Sequence, residues 1–139
     1  MAISTNNKVG VKVNSVDISD VVTSATLNYV FDELEVTAMG DTAHKYVKGL
    51  QSATFTVSFM NDTASNEVLD TLLTAWGTTV GVKLLQNSGA AVADDNKLYT
   101  FDILVNNLTP INGGVADISG QDVTFTVNGA VTVADTGTF

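Results

Sequence analysis

The chain has 139 residues, a length that suits one domain with its own hydrophobic core. It contains no cysteine, which excludes disulfides, thiolate metal sites and thiol chemistry. Fifteen acids stand against six lysines and no arginine, so the net charge of −9 disfavours a protein that grips nucleic-acid phosphates. The chain has no run of about 18 apolar residues, and no membrane span is predicted.

The surface is unusually poor in charge. Charged residues make up 15 % of the chain, against about 25 % in ordinary soluble proteins. Threonine, serine, asparagine, glycine and alanine fill the polar positions instead. Because a small domain with few surface charges tends to self-associate, we infer that part of this surface contacts other subunits.

Alternating apolar and polar residues predict six or seven strands. The period of two, with β-branched and aromatic residues, is typical of half-buried strands. The connections are too short for repeated crossover helices, so we expect antiparallel pairing. The predicted strands, in chain order, are 9–13, 24–31, 53–59, 80–85, 98–105, 122–128 and 130–133.

One amphipathic helix interrupts the strands at about 64–76. Its predicted core stripe consists of Val68, Leu69, Leu72, Leu73 and Trp76. Its predicted N-terminal caps are Asp62, Thr63 or Ser65, and Gly77 is predicted to close it. The fold class is therefore mainly β: an antiparallel β-sandwich or flattened barrel with one flanking helix.

The rest of the chain is predicted to be turns, loops and termini of a single domain, 1–139. Residues 86–97 are predicted to join two strands of a hairpin, and 106–122 to be irregular. The termini, about 1–8 and 129–139, are predicted to be flexible.

The sequence contains no recognisable catalytic pattern. His44 is the only possible histidine base, and no serine lies in a tight glycine-flanked turn. Asp94, Asp95 and Asn96 lack the spacing of a calcium loop, and no phosphate-binding Gly-x-x-x-x-Gly-Lys run occurs. We therefore predict no catalytic, cofactor-binding or metal-binding residues, no cofactor and no enzyme activity.

Residues 32–50, DELEVTAMGDTAHKYVKGL, break the alternation and are predicted to form a long loop. Such a segment inside a small domain usually has a function. Its apolar residues are typical of interface cores, and its opposite charges can set the register between subunits. We predict an intersubunit arm, with a hairpin folded onto its own domain as the alternative. The predicted interface residues are Glu33, Glu35, Met39, Asp41, His44, Lys45, Tyr46, Lys48 and Leu50.

Residues 36–62, VTAMGDTAHKYVKGLQSATFTVSFMND, resemble the major tail tube proteins of long-tailed, siphovirus-type bacteriophages. The resemblance extends over roughly 9–134 and lies in composition and in the order of parts. These parts are a loop with MGD, a YVKGL step, a Thr/Val/Phe strand ending in ND, a helix with VLDTLLTAW and a closing VTFTVNG strand.

The resemblance implies a β-sandwich-like subunit of hexameric rings that stack into a hollow tail tube, a conduit for genome ejection into the host. It implies a virion location, with assembly in the cytoplasm of the host bacterium. The implied partners are copies of itself, a tape-measure protein, tail terminator and distal tail or baseplate proteins. Double-stranded DNA would pass through without specific binding, and no membrane is involved. The polar faces of strands 53–59 and 122–128 fit a lumen wall without cations.

Two other functions stay open. One is the inner tube of a contractile tail or injection system, which would share the fold. The other is a monomeric immunoglobulin-like decoration or adhesion domain, whose residues 32–50 would bind a carbohydrate or a host protein.

Overall fold

The computed structural model describes residues 3–139. Within this range the chain forms eight strands and one α-helix. Their bounds are β1 Gly10–Val13, β2 Val16–Asp17, β3 Val22–Glu35, β4 Tyr46–Met60, α1 Val68–Thr74, β5 Thr79–Leu85, β6 Leu98–Leu104, β7 Gly120–Thr126 and β8 Thr132–Ala134.

The strands form two antiparallel sheets. The five-stranded sheet has the order β2-β1-β5-β6-β8, and the three-stranded sheet has the order β3-β4-β7. All neighbouring strands pair antiparallel, and residues 86–97 join β5 to β6 as predicted. The predicted fold class, an antiparallel β architecture with one flanking helix, is confirmed.

The hydrophobic core lies between the two sheets and is covered in part by α1. Phe55 of the three-stranded sheet meets Phe101 of the five-stranded sheet edge to face, with ring centroids 5.3 Å apart. An isolated bridge between Ile103 and Val127 joins the sheets on one side, so the sandwich is partly closed. The apolar faces of the predicted strands 53–59 and 122–128 are buried throughout: Ala53, Phe55, Val57, Phe59, Val123, Phe125 and Val127.

Helix α1 is shorter than the predicted 64–76, and its stripe is only partly buried. Val68, Leu69 and Leu72 are buried, whereas Leu73 and Trp76 are half exposed. The prediction that Trp76 belongs to the core is wrong, because the helix ends at Thr74 and the tryptophan lies beyond its last turn. The predicted closing residue, Gly77, has φ +76°, which favours glycine.

The predicted side-chain cap of α1 is absent. Glu67 occupies the N-cap position, and no side chain caps the helix there. Asp62 accepts a hydrogen bond from the Ala64 amide instead, in the turn that leads to the helix. The amide of Asn66 is satisfied by the Asp70 carboxylate at 2.8 Å.

Part of the predicted flexible C-terminus is packed against the five-stranded sheet. Strand β8 pairs with β6. Lys12 Nζ donates a 2.8 Å hydrogen bond to the main-chain oxygen of Phe139 and lies 4.7 Å from the centroid of its ring. At the other end, Asn6–Lys8 form a short 3-10 turn. Residues 1 and 2 of the predicted flexible N-terminus lie outside the described residues.

Candidate assembly surfaces

A two-stranded arm projects from the three-stranded sheet. β7 pairs with β4 only from Thr54 to Met60, so beyond Thr54 strands β3 and β4 pair only with each other within residues 3–139. We define the arm as residues 30–52, from Val30, which faces Ser52 in register. Nearly all of its strand residues are exposed, so the arm contributes little to the core.

The arm differs from the predicted loop at 32–50 in being mostly strand. Only residues 36–45, at its tip, lie outside β3 and β4. The alternation disappears from the sequence here for two reasons. Both faces of the hairpin are exposed, so neither has to be apolar, and a bulge shifts the register between Phe31 and Glu33.

The bulge gives the two faces of the arm different chemistry. Phe31, Glu33 and Lys48 share one face, where Lys48 Nζ lies 5.5 Å from the centroid of the Phe31 ring. The other face contains Leu34, which is paired with Val47. We define this second, aliphatic face of the arm by its exposed side chains: Val30, Leu34, Val47 and Leu50. An exposed aliphatic face of this kind on a two-stranded hairpin is a candidate interaction surface.

Hydrogen bonds and ion pairs order the tip of the arm. The Asp41 carboxylate accepts a 2.8 Å hydrogen bond from the Ala38 amide and lies 2.9 Å from Lys45 Nζ. These two contacts, the Ala38 bond first, hold the pKa of Asp41 below its ordinary value of 3.8. His44 Nδ1 lies 2.7 Å from a carboxylate oxygen of Glu35. The tip is therefore a folded turn.

All nine predicted interface residues lie in the arm, and the structure makes several of them prominent. Met39 and Leu50 are 103 % and 81 % exposed, and Tyr46 is half exposed. Four of the predicted interface residues are less available for contacts with another subunit than expected, because they pair inside the arm: Glu35 with His44, and Asp41 with Lys45. Glu33 and Lys48, which face each other across the strands, form no ion pair within residues 3–139.

A second surface is the outer face of the three-stranded sheet, which we call the hydroxyl face. Its side chains align across β3, β4 and β7 in three rows, and Thr56 and Thr124 share a hydrogen bond of 3.0 Å. The nine side chains of the hydroxyl face include one acid and no lysine. The rows are Ser24, Ser58 and Asp122; Thr26, Thr56 and Thr124; and Asn28, Thr54 and Thr126.

The third surface was not recognised from the sequence beyond its irregularity. Residues 106–119, the basal loop, expose three aliphatic side chains almost completely: Ile111, Val115 and Ile118. They lie among glycines and asparagines, so no periodicity marks them. The sequence feature that could have identified this surface was the presence of three bulky aliphatic residues in a segment without alternation.

Two buried or half-buried amides hold the basal loop in place. The Gln121 side chain, 3 % exposed, accepts a 2.7 Å hydrogen bond from the Thr109 amide and donates one of 2.8 Å to Asn61 Oδ1. Asn61 Nδ2 donates in turn to Ser119 Oγ at 2.9 Å. The ends of the loop are thereby fixed to the end of the three-stranded sheet.

Two features are absent from the part of the chain that the structure describes: a candidate metal-binding cluster and a candidate membrane-spanning helix. Residues 3–139 contain no group of three or more histidine and acidic side chains placed to hold a metal ion. Over the same range, none of the helical structure has the length and apolar character needed to span a bilayer. His44, the only histidine, is largely exposed at the arm tip.

The fold is similar to that of chains from two particle structures. One chain, from a structure described as "Virion of native gene transfer agent (GTA) particle", superposes with a TM-score of 0.75 at 9 % identity, over 95 % of this chain and 99 % of that one. A second, from "Tail of empty GTA particle computed with helical refinement, C6 symmetry", gives a TM-score of 0.58 at 11 % identity over 82 % of each chain. At such identities the likeness is one of fold. No protein-family model matches the chain, and no curated protein matches it in sequence.

Proposed function

We propose that this chain is a structural virion protein, the subunit of a hollow tail tube built from stacked rings. The observation that carries the proposal is the hydroxyl face: nine aligned side chains with one carboxylate and no cation. Such a wall offers DNA polar contact without an anchor for its phosphates. The tube serves as the conduit for genome ejection, and the protein has no enzymatic role.

The edges of the three-stranded sheet support closure into a ring. β3 and β7 are its outer strands, so each has one edge without a strand partner within residues 3–139. An unpaired edge of up to 14 residues, as in β3, invites pairing with another chain. Pairing β3 of one copy with β7 of the next continues the hydroxyl face around the ring. We propose six copies in a ring, in line with the C6 symmetry named for the second GTA structure.

The arm supports contact between copies. Its nine predicted interface residues lie outside the core, and its aliphatic face has no cover within residues 3–139. We assign the arm to an intersubunit contact. The further partners we propose are a tape-measure protein inside the tube and terminator and distal tail proteins at its ends. We place the protein in the virion tail, assembled in the host cytoplasm.

Microscopy of the purified protein tests the proposal. Concentrated protein should form rings or hollow tubes in negative stain, and its sedimentation coefficient should rise with concentration. A matched variant replaces residues 31–51 by a two-residue Asn-Gly turn, because Val30 and Ser52 face each other in register and can close a tight hairpin. This shortened variant should stay a folded monomer. Full-length protein that remains monomeric at high concentration would favour a monomeric decoration or adhesion domain instead.

A further inference from the structure

The sequence contains two Asn-Gly dipeptides, Asn112–Gly113 in the basal loop and Asn128–Gly129 between β7 and β8. Asparagine before glycine is chemically labile, because the main-chain nitrogen of the glycine can attack the side-chain carbonyl carbon of the asparagine. Glycine has no Cβ to crowd the attacking nitrogen, and it adopts backbone conformations that other residues avoid. The reactivity of each dipeptide in the folded protein then depends on how firmly its atoms are held.

Asn112 is held by hydrogen bonds. Its Nδ2 atom donates to the carbonyl of Gly120 at 3.0 Å, which fixes the side-chain amide. The Gly114 amide, just after the dipeptide, donates to the Asp117 carboxylate at 2.9 Å and closes a turn. A Cβ added to Gly113 would lie 3.5 Å from the Asp117 Cβ, so this glycine is in contact with the turn. The side chain and the main chain of this dipeptide therefore have little freedom to approach each other.

Asn128 is held much less firmly, and both it and Gly129 are exposed. Its Nδ2 atom lies 3.4 Å from Thr79 Oγ1, at the outer limit for a hydrogen bond. Within residues 3–139 the Gly129 amide donates to no main-chain carbonyl, so its proton is free to leave. A Cβ added to Gly129 would meet no atom within 4 Å, and the glycine has φ +110°. The attacking nitrogen and the carbon that it attacks are therefore both accessible.

We propose that Asn128 is a site of self-modification, at which the folded protein deamidates faster than at Asn112. The Gly129 nitrogen forms a bond to the side-chain carbonyl carbon of Asn128, and the side-chain nitrogen leaves as ammonia, taking up the proton that the Gly129 nitrogen loses. One water molecule then opens the resulting cyclic imide at either of its carbonyl groups. Opening at one carbonyl gives aspartate, and opening at the other gives isoaspartate, in which the main chain runs through the former side chain. The reaction consumes only water, and the product is more negative than the parent chain.

The modification changes the connection between the two sheets. The Val127 amide donates to the carbonyl of Ala53 in the three-stranded sheet. The next amide, that of Asn128, donates to the carbonyl of Asp102 in the five-stranded sheet at 2.8 Å. Shortly afterwards, Val131 packs against the core. Isoaspartate adds a methylene group to the main chain between these fixed points and displaces Val131, so the isoaspartate product is less stable than the parent.

Ageing of the purified protein tests the proposal. Folded protein is incubated at mildly alkaline pH, which promotes loss of the glycine amide proton, and its peptides are mapped over time by mass spectrometry. We expect deamidation at Asn128 to be about fivefold faster than at Asn112, a ratio that corresponds to one ordinary hydrogen bond. In denaturant, where both dipeptides are released from the fold, the two rates should become similar. Labelling by an isoaspartyl methyltransferase distinguishes isoaspartate from aspartate.

Two variants provide the controls. Asn128→Gln keeps a side-chain amide but lengthens the side chain by a methylene group, so the early product should vanish while Asn112 reacts as before. Asn128→Asp has the charge of the product without the altered main chain, so it should resist denaturant better than the isoaspartate fraction separated by anion exchange. Folded protein in which Asn112 reacts as fast as Asn128 overturns the proposal, as does folded protein in which neither reacts while denatured protein does. These measurements do not require the tube to form, so the proposed function is tested separately.

Discussion

Gly49 lies directly against Asp32 at the bulge of the arm. A Cβ atom on Gly49 would come within 2.8 Å of the Asp32 Cβ and 2.9 Å of its carbonyl oxygen. Real Cβ atoms do not approach backbone so closely, so the two strands can keep this register only with glycine at position 49. The bulge in turn decides which side chains share a face in the outer half of the arm.

Gly49→Ala should therefore disable assembly while leaving the domain folded. The free energy of unfolding should fall by about 1 kcal/mol or less, because the arm contributes little to the core. Sedimentation velocity should show a monomer at concentrations where the parent protein polymerises. Gly81→Ala is the control, since its Cβ would meet only Asp102 Oδ1, at 3.6 Å. Tubes of normal appearance from Gly49→Ala would show that the arm register is unimportant.

Gln121→Leu should loosen the basal loop and destabilise the fold. The change leaves the Thr109 amide without its acceptor and Asn61 Oδ1 without its donor, in a partly buried place. A loss of about 1–3 kcal/mol in the free energy of unfolding is expected, measured by chemical denaturation. Hydrogen exchange at the Thr109 amide should accelerate more than exchange in β5. Thr126→Val, on the exposed end of β7, is the matched control with little expected loss.

Cations added to the hydroxyl face should turn a passive wall into a DNA-binding one. Thr124→Lys combined with Thr126→Lys should change the stability of the monomer by about 1 kcal/mol or less, because both positions are exposed. Tubes assembled with short duplex DNA should then retain DNA that a nuclease cannot reach, and salt should release it. Thr132→Lys, on β8 of the other sheet, should retain only nuclease-sensitive DNA. Protected DNA in this control would contradict the assignment of the lumen.

Acid should open the tip of the arm. The hydrogen bond from Ala38 and the ion pair with Lys45 lower the pKa of Asp41 in the folded arm. Because the lowered pKa belongs to the folded state, the stabilising contribution is complete above the ordinary value of 3.8 and is lost as the pH falls through the lower folded value. An NMR titration should show the Ala38 amide resonance moving in that range. In Asp41→Asn the movement should vanish; its persistence would assign the transition to another group.

Most of the fold could be predicted from the sequence because the core imposes a period of two. Wherever a strand has one face in the core, as at Phe55 and Phe125, the alternation is strong and the burial is as expected. Prediction failed where that constraint ends. Tyr29 and Phe31 continue the pattern of Leu27 but are about half exposed, since the sheet there runs past the core into the arm.

The candidate surfaces were predictable in unequal measure. The sequence singled out residues 32–50 because their apolar and charged side chains are unusual for a simple connecting loop. The strands within this segment were not predicted. The basal loop was missed because its exposed aliphatic residues become a surface only when Asn61 and Gln121 fold the segment back onto the sheet. Those two amides lie 60 positions apart in the chain, and nothing local connects them.

The sequence by itself determined the chemistry of the surfaces: the absence of cysteine and arginine, the negative charge and the hydroxyl residues that alternate with the core of β4 and β7. These follow from residue identity and from the two-residue period of a strand. Only the tertiary structure decided that β3 and β4 extend beyond β7 and that Gly49 allows the bulge. It also decided that the arm and the basal loop lie at opposite ends of the three-stranded sheet. Strand length and register depend on hydrogen bonds between distant segments, and no local pattern encodes them.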